Sequence, residues 1–247
     1  MKIHHISPFA LLTALALGLS ACSVAPPGTE VYDPYEAQNR QIHAFNLALD
    51  EAILRDAGAA AAALPPVIRQ PVVNFSDNVA LPGMVLNGIL QADIGGAGTN
   101  AMRFVLNTVL GFGGLIDVAS EIGLYEDSTD FGETLAVWGV PEGAYQELPF
   151  FGPSTERDTF GLIVDMVIDP LGRYGTAEQL RYGGYARVAE QVIDRGVFGD
   201  TVDSILYDSA DGYAQARLYY LQNRRFGIEG TAGEGNTDTF VDPFEDF

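Results

Sequence analysis

The sequence predicts an all-α protein. Apolar residues recur at helical spacing along much of the chain, as in the run Tyr35, Ile42, Phe45, Leu49 and Ile53. Proline and glycine groups separate such runs, and no strand-like alternation of apolar and polar residues persists anywhere. Apolar residues make up 47% of the chain and charged residues only 19%, so disorder over most of its 247 residues is not expected.

The predicted helices follow one another with clear stop and start signals. The first begins after Asp33-Pro34, and an alanine-rich stretch over 57–63 ends at Leu64-Pro65-Pro66. Asp130 and Glu133 match a capping pattern, and Ser154 is predicted to cap the helix that follows it. The other predicted helices lie near 67–79, 82–91, 97–110, 115–121, 154–168, 176–195 and 200–225.

The N-terminus is predicted to be a lipoprotein signal peptide over residues 1–21. Basic residues precede an apolar run over 9–19, which is too short to cross a bilayer that needs about twenty residues. Leu19-Ser20-Ala21-Cys22 resembles a lipobox, so Cys22 is the predicted lipidation site; an ordinary signal peptide with an incidental cysteine is the alternative. Residues 22–32 are predicted to be a flexible lipidated tether. Ser23, rather than aspartate, follows the cysteine, and this indicates the outer membrane.

Composition and charge exclude several functions. The 33 acidic and 13 basic residues give a net charge of −20, which excludes nucleic acid as a partner. Removing 1–21 leaves no lysine and only one histidine, His43, so a P-loop and a Cys/His zinc site are not expected. No G-x-S-x-G nucleophile is present, and the glycine group at 96–98 lacks the preceding strand of a dinucleotide site. We therefore expect neither catalysis, nor a cofactor, nor a metal.

The C-terminal residues 226–247 are predicted to form a disordered acidic tail, after a helical body over 33–225. This segment carries aspartate and glutamate but no basic residue, with glycine and threonine between them. A docking motif built from Phe240, Phe244 and Phe247 is the alternative.

Narrow polar stripes run along otherwise apolar helices. Asn100, Arg103 and Asn107 are spaced i, i+3 and i+7, which places them on one helix face. Similar stripes are Asn87 with Gln91, Asn74 with Asn78, and Asn39 with His43, Asn46 and Asp50. These stripes either satisfy loops inside an ordinary core or line a hydrated path while the apolar faces contact lipid. None of these helices suits a membrane span, so flat insertion into one leaflet is favoured.

The segment Arg103–Ala119 (RFVLNTVLGFGGLIDVA) resembles the signature of the MlaA/VacJ family of outer-membrane lipoproteins. Supporting segments occur in the family's order at 33–46, 74–93, 130–140 and 148–158. The chain departs from the family at His43, where an aromatic residue is expected, and at Gly143-Ala144-Tyr145.

The resemblance implies a ring-like assembly of amphipathic helices around a central channel. Such a protein lies in the inner leaflet of the outer membrane, at its periplasmic face. It would remove misplaced phospholipids from the outer leaflet, pass them to an MlaC-type periplasmic carrier, maintain lipid asymmetry, and associate with a trimeric porin. A structural or scaffolding envelope lipoprotein without lipid transport is the alternative.

The polar stripes supply the candidate contacts for a phospholipid head group. These candidates are Arg103, Asn107, Asn100, Asn87 and Asn46. Arg103 is the strongest, because a guanidinium can engage a phosphate with two hydrogen bonds. A structural pair with Asp117 or Asp93 is the alternative for Arg103.

The glycines that follow this helix are candidates for a flexible lip of the channel. They are Gly111, Gly113 and Gly114, and a tight turn is the alternative. Asp117, close behind them, is expected to be a charge at a helix end.

Overall fold

A computed structural model of the chain describes residues 23–168, 170 and 177–233, and the side chains within this set except those of 177–181 and 231–233. Helices predominate in this part of the chain, which confirms the all-α prediction. The predicted signal peptide and Cys22 lie outside the described residues.

Helix α1 spans Glu36–Leu49 and continues through a π-helical turn, Asp50–Leu54, into α2, Arg55–Ala62. Then come α3 (Pro66–Gln91), α4 (Ile94–Val109), α5 (Val118–Glu121), α6 (Phe131–Val137), β1 (Tyr145–Leu148) and β2 (Gly152–Thr155). The last helices are α7 (Glu156–Ile168), α8 (Ala177–Val197), α9 (Gly199–Leu206) and α10 (Gly212–Gly233).

Helices α3 and α4 form a tight antiparallel pair. The sequence predicted two helices over 67–91, but α3 is one helix of 26 residues that passes through Pro71 and Pro82. It ends at Gln91, and the next residue, Ala92, has a left-handed φ of 63°. Asp93 then caps α4 by accepting a hydrogen bond from the Gly96 N–H at 3.0 Å. A Cβ on Gly88 would lie 3.1 Å from the Ala97 Cβ, so glycine permits the close approach of the two helices.

A two-stranded antiparallel hairpin, β1 paired with β2, adds a small sheet that the sequence did not predict. Each strand has only four residues, which is too short for an alternating pattern to stand out. The prediction that Ser154 caps a helix is wrong, because Ser154 lies in β2. The Thr155 hydroxyl takes that role and accepts a hydrogen bond from the Asp158 N–H at 3.2 Å.

The segment predicted to be a flexible tether lies against the body. The Ser23 N–H and hydroxyl donate to Glu156 Oε2 at 2.6 and 2.8 Å. Farther along, the Tyr32 carbonyl accepts a hydrogen bond from the Tyr145 N–H at 2.8 Å. The carboxylate of Glu156 and the first strand thus contact the two ends of this segment, and its flexibility stays a prediction.

The predicted C-terminal tail begins at residue 226, which is before the end of the last helix. Helix α10 continues to Gly233, so residues 226–233 are helical. Residues 234–247 lie outside the described part of the chain.

Helix α8 packs closely on α2 through two glycines. A Cβ on Gly196 would overlap the carbonyl of Gly58 and would approach the Ala62 Cβ to 3.0 Å. A small hydrophobic cluster formed by Tyr145, Tyr213 and Leu221 joins the hairpin to α10. Across the described ranges, no helix is long and apolar enough to cross a membrane.

We predict that Gly196→Ala lowers the free energy of unfolding by about 1–3 kcal/mol, the usual cost of overpacking a tight contact. Gly184→Ala on the same helix is the control, because a Cβ there would enter open space. It should raise stability by about 0.5–1 kcal/mol, since alanine favours helix. Urea unfolding in detergent measures both, and equal stability of the two variants would contradict the packing role.

Candidate functional site

Helix α4 has its polar side inward and its apolar side outward. Asn100, Arg103 and Asn107 share one face, as their spacing predicted, and that face is at most 4% exposed. On the opposite side, Val105 is 54% and Val109 is 72% exposed. This arrangement reverses the usual pattern of a surface helix in a protein surrounded by water.

The inward side of α4 is held by a network around Asp117. Arg103 Nη2 lies 3.1 Å from Asp117 Oδ2, and the same guanidinium donates to the Ser120 hydroxyl at 3.0 Å and to the carbonyl of Leu124. Asn107 Nδ2 donates to Asp117 Oδ1 at 2.8 Å, and its Oδ1 accepts from the backbone of α5. Asp117 itself caps α5, as expected of a helix-end charge.

These contacts set the charge of Asp117. Burial alone would raise the pKa of this carboxyl, but hydrogen bonds from Ser120 and Asn107, together with the charge of Arg103, hold the pKa below its ordinary value. The network therefore contains an ionised carboxylate with all of its strongest partners on α4 and α5.

The other three candidate amides also bind protein groups. Asn100 forms two hydrogen bonds with the backbone of Asp127, at 2.6 and 3.1 Å. Asn87 donates to Asp165 at 2.9 Å and accepts from Thr134 at 3.0 Å. Asn46 donates to the Leu148 carbonyl at 3.0 Å and accepts from the Phe150 N–H at 2.9 Å.

All five candidate residues thus bind other groups of the protein, which is the alternative to head-group contact. Arg103 pairs with Asp117 and the amides fasten loops to helices, as buried polar groups normally do. Their contact with a phospholipid head group stays a prediction.

The glycines at 111, 113 and 114 form a tight turn after α4. Phe112, Gly113 and Gly114 all have positive φ, and the Gly114 N–H donates to the Asn107 carbonyl at 2.9 Å. A Cβ on Gly114 would clash with the Asn78 side chain at 2.6 Å from its Nδ2. Close packing and turn geometry account for these glycines, and their motion as a lip stays a prediction.

Further exposed apolar residues lie before and after α4 in the sequence. We call the following set the apolar belt: Ile89, Ile94, Met102, Val105, Val109, Leu110, Phe112, Leu115, Ile116 and Ile122. Trp138 lies at one end of the belt, where its indole N–H donates to the Leu90 carbonyl at 3.0 Å. Exposed apolar side chains in this number indicate a surface that is covered by lipid or by a partner.

A cavity of about 380 Å³ lies between α1, the hairpin, α9 and α10. Its apolar wall includes Leu47, Val202, Ile205, Leu206, Ala216 and Tyr219, and its polar wall includes His43, Asn46, Asp50, Glu147, Arg195 and Asn223. Asn46 is the one predicted contact residue that lines this cavity. Sequence spacing identified the α1 stripe but not the cavity, because its walls come from segments more than a hundred residues apart.

Two charged residues of the cavity wall, Asp50 and Arg195, are paired with each other. Arg195 Nε and Nη2 donate to the two oxygens of Asp50 at 2.6 and 2.8 Å, and the Tyr207 hydroxyl donates to Asp50 at 2.8 Å. Burial would raise the pKa of Asp50, but these hydrogen bonds outweigh it and hold the pKa below its ordinary value.

Two carboxyls face each other where α8 crosses α3. Asp77 on α3 lies beside Glu190 on α8, which also accepts a hydrogen bond from the Ser76 hydroxyl at 2.5 Å. Burial, followed by the hydrogen bond and charge of Glu190, raises the pKa of Asp77 to about 7. No cluster of three or more His, Cys, Asp or Glu side chains in the described ranges is arranged to hold a metal ion.

These features define a helical protein that buries its polar helix faces and presents apolar faces outward. The family model described as MlaA lipoprotein matches residues 31–227. The chain therefore belongs to the MlaA lipoprotein family, which confirms the resemblance drawn from 103–119.

Relatives and a solved structure agree with this assignment. The chain is 33% identical over 239 residues to the intermembrane phospholipid transport system lipoprotein MlaA of Escherichia coli, covering 93% of this chain and 90% of that protein. An uncharacterised protein of Rickettsia typhi is 37% identical over 202 residues, covering 81% and 79%. A structure described as the structural basis for maintenance of bacterial outer membrane lipid asymmetry matches with a TM-score of 0.69 and 34% identity, covering 79% of this chain and 98% of the other.

We predict that Arg103→Ala lowers the free energy of unfolding by about 3 kcal/mol, because it leaves Asp117 and the Leu124 carbonyl without their buried partner. Arg187→Ala is the control, since Arg187 is exposed on α8, and it should change stability by no more than about 0.5 kcal/mol. Urea unfolding measures both. An Arg103→Ala protein as stable as the wild type would restore the head-group interpretation.

We predict that Asp77→Asn stabilises the protein more at pH 8 than at pH 5. The pKa of the Asp77 carboxyl is 3.8 in the unfolded chain and is raised to about 7 in the folded protein. As pH rises through this interval, the unfolded chain releases its proton first, so the folded wild type loses stability relative to it. Asparagine stays neutral at both values. Thermal unfolding at pH 5 and 8 measures the gap between variant and wild type; a gap that does not widen at pH 8 would contradict the assignment. Asp200→Asn, at an exposed position, is the control.

Proposed function

We propose that this chain is an outer-membrane lipoprotein that removes misplaced phospholipids from the outer leaflet and maintains lipid asymmetry. The observation that carries the proposal is the inverted helix α4, whose buried side is polar and whose exposed side forms the apolar belt. In water such a surface is unfavourable by about 25 cal/mol for each Å² of apolar area, whereas in acyl chains it is not. Family membership supports the same function.

In this proposal the protein lies flat in the inner leaflet at the periplasmic face. Acyl chains on Cys22 would anchor it, and the apolar belt would enter the hydrocarbon beside them. One acyl chain by itself gives only reversible membrane binding, whereas several chains on Cys22 would hold the protein there permanently. The net charge of −20 gives no attraction to anionic lipids, so apolar contacts must hold the protein there.

The polar stripes would divide their work between positioning and contact. Arg103, Asn107, Asn100 and Asn87 hold loops against the helices and so keep the apolar belt outward. Asn46 lines the cavity and would contact a lipid that enters it. The helices would surround a path for the lipid, without covalent chemistry in this subunit.

An MlaC-type periplasmic carrier would receive the phospholipid, and a trimeric porin would associate with the protein in the membrane. Both partners are proposed from the family resemblance. The relatives that support it are named as parts of an intermembrane phospholipid transport system.

Deletion of the gene in its own bacterium tests this function. We expect more phosphatidylethanolamine in the outer leaflet, measured on intact cells with a membrane-impermeant amine reagent, and restoration by the wild-type gene. A scaffold without lipid transport would instead leave the outer-leaflet phospholipid unchanged, and that result would contradict the proposal.

The same assay tests the apolar belt. Val109→Asp should not restore asymmetry although the protein accumulates normally, because a charge on the exposed side of α4 opposes insertion into hydrocarbon. Gln222→Asp adds the same charge at an exposed position on α10 and should restore asymmetry like the wild type. Full activity of Val109→Asp would show that the belt does not enter the membrane.

A further inference from the structure

Two donors of Ser23 converge on one carboxylate oxygen. The Ser23 N–H and hydroxyl lie 2.6 and 2.8 Å from Glu156 Oε2, although the two residues are 133 positions apart in the sequence. Hydrogen bonds to a carboxylate are stronger than bonds between two neutral groups. Glu156 therefore holds the first residue after Cys22, the predicted lipidation site.

Both donors of Ser23 are retained in a lipidated protein. The N–H belongs to the peptide bond between Cys22 and Ser23, and the hydroxyl belongs to the serine side chain. Cleavage after residue 21 and acylation of Cys22 change neither group. The contact with Glu156 is therefore available to a mature protein that begins at Cys22.

The body is shaped to receive the Glu156 carboxylate. Gly143 has a left-handed φ of 75°, and a Cβ at this position would lie 2.6 Å from Glu156 Oε2. The Glu156 N–H donates to the Ala144 carbonyl at 3.0 Å, and the Arg157 N–H donates to the Glu142 carbonyl at 3.1 Å. Glycine thus leaves room for the carboxylate, and backbone hydrogen bonds fix the start of α7 beside it.

Separate contacts hold the other end of the N-terminal segment. Arg225 Nη2 donates to the Glu30 carbonyl at 3.0 Å. The Tyr32 carbonyl accepts a hydrogen bond from the Tyr145 N–H at 2.8 Å. Residues 24–29 therefore lie between two attached ends.

The first attached residue sets how far the body can move from an acyl anchor on Cys22. If the chain were held only from Glu30 onward, eight residues would span up to about 26–29 Å between anchor and body. With Ser23 held, one residue spans about 3.5 Å. The contact with Glu156 thus shortens the reach of the anchor by about eightfold.

We propose that Glu156 is a docking site for the chain's own lipidated N-terminus, so that the acyl chains on Cys22 leave the body at the start of α7 and hold it at the membrane surface. The lipid on Cys22 rests on the proposed function, whereas the docking of Ser23 does not require phospholipid removal. Glu156 is a positioning residue, and the segment over 23–32 is attached to the body instead of being a flexible tether.

A distance measurement between two nitroxide labels tests the docking. Val24→Cys and Gln222→Cys, both at exposed positions, carry the labels in the purified full-length protein in detergent. A lipidated Cys22 has no free thiol and stays unlabelled. We expect a narrow distance distribution by double electron–electron resonance. Glu156→Ala should broaden it by about 12–15 Å, the spread of six free residues.

Two further variants test the part played by the carboxylate. Glu121→Ala removes an exposed carboxylate on α5 and should leave the distribution narrow. Glu156→Gln keeps an acceptor oxygen without the charge and should broaden the distribution less than Glu156→Ala does. Circular dichroism spectra check that each variant is folded. A narrow distribution in folded Glu156→Ala would overturn the role of Glu156.

The remaining outcomes separate the docking from the proposed function. A broad distribution without any change at Glu156 would overturn the docking, while the asymmetry assay could still support phospholipid removal. A third label, on Cys22, would reveal a free thiol and overturn the shortened acyl anchor. Failure of the gene deletion to alter outer-leaflet phospholipid would instead contradict the proposed function and leave the distance distributions unchanged.

Discussion

The buried ion pair between Arg103 and Asp117 is the interaction on which the rest of the arrangement depends. A guanidinium that is 5% exposed must be paired, and its partners all lie on the segment that follows α4. Because Arg103 and Asn107 point inward, helical geometry places Val105 and Val109 on the outward side of α4. The exposed apolar surface is thus a consequence of internal polar bonding, and the protein needs an apolar environment to accommodate it.

Close backbone packing transmits this constraint to neighbouring elements. The left-handed turn at Phe112–Gly114 returns the chain over Asn78, and Gly88 lets α3 and α4 approach closely. On the other side, Gly58 and Gly196 bring α2 and α8 together, while Asp50 and Arg195 join the π-helical turn to α8. Polar and small residues therefore contribute to the helix arrangement, beside the small hydrophobic cluster of Tyr145, Tyr213 and Leu221 near the hairpin.

Local periodicity predicted the helices and the shared polar face of α4, because residues at i, i+3 and i+7 share a face wherever a helix forms. It did not predict the hairpin, whose four-residue strands carry too short a pattern, nor the docking of Ser23 on Glu156, which joins residues 133 positions apart. The cavity was hidden for the same reason: His43 and Glu147 meet only in the folded chain. The choice of Asp117 over Asp93 as partner of Arg103 likewise depends on the folded arrangement and not on sequence spacing.

Trp138, the single tryptophan of the chain, offers the most direct measurement of the central claim that the apolar belt contacts lipid. It is 46% exposed beside the α3–α4 turn, so its fluorescence reports the surroundings of the belt without any substitution. In vesicles containing the lipidated protein, we expect phospholipids brominated in the upper acyl chain to quench Trp138 strongly and aqueous iodide to quench it weakly. Strong quenching by iodide with no effect of brominated lipids would place the belt in water and contradict the account.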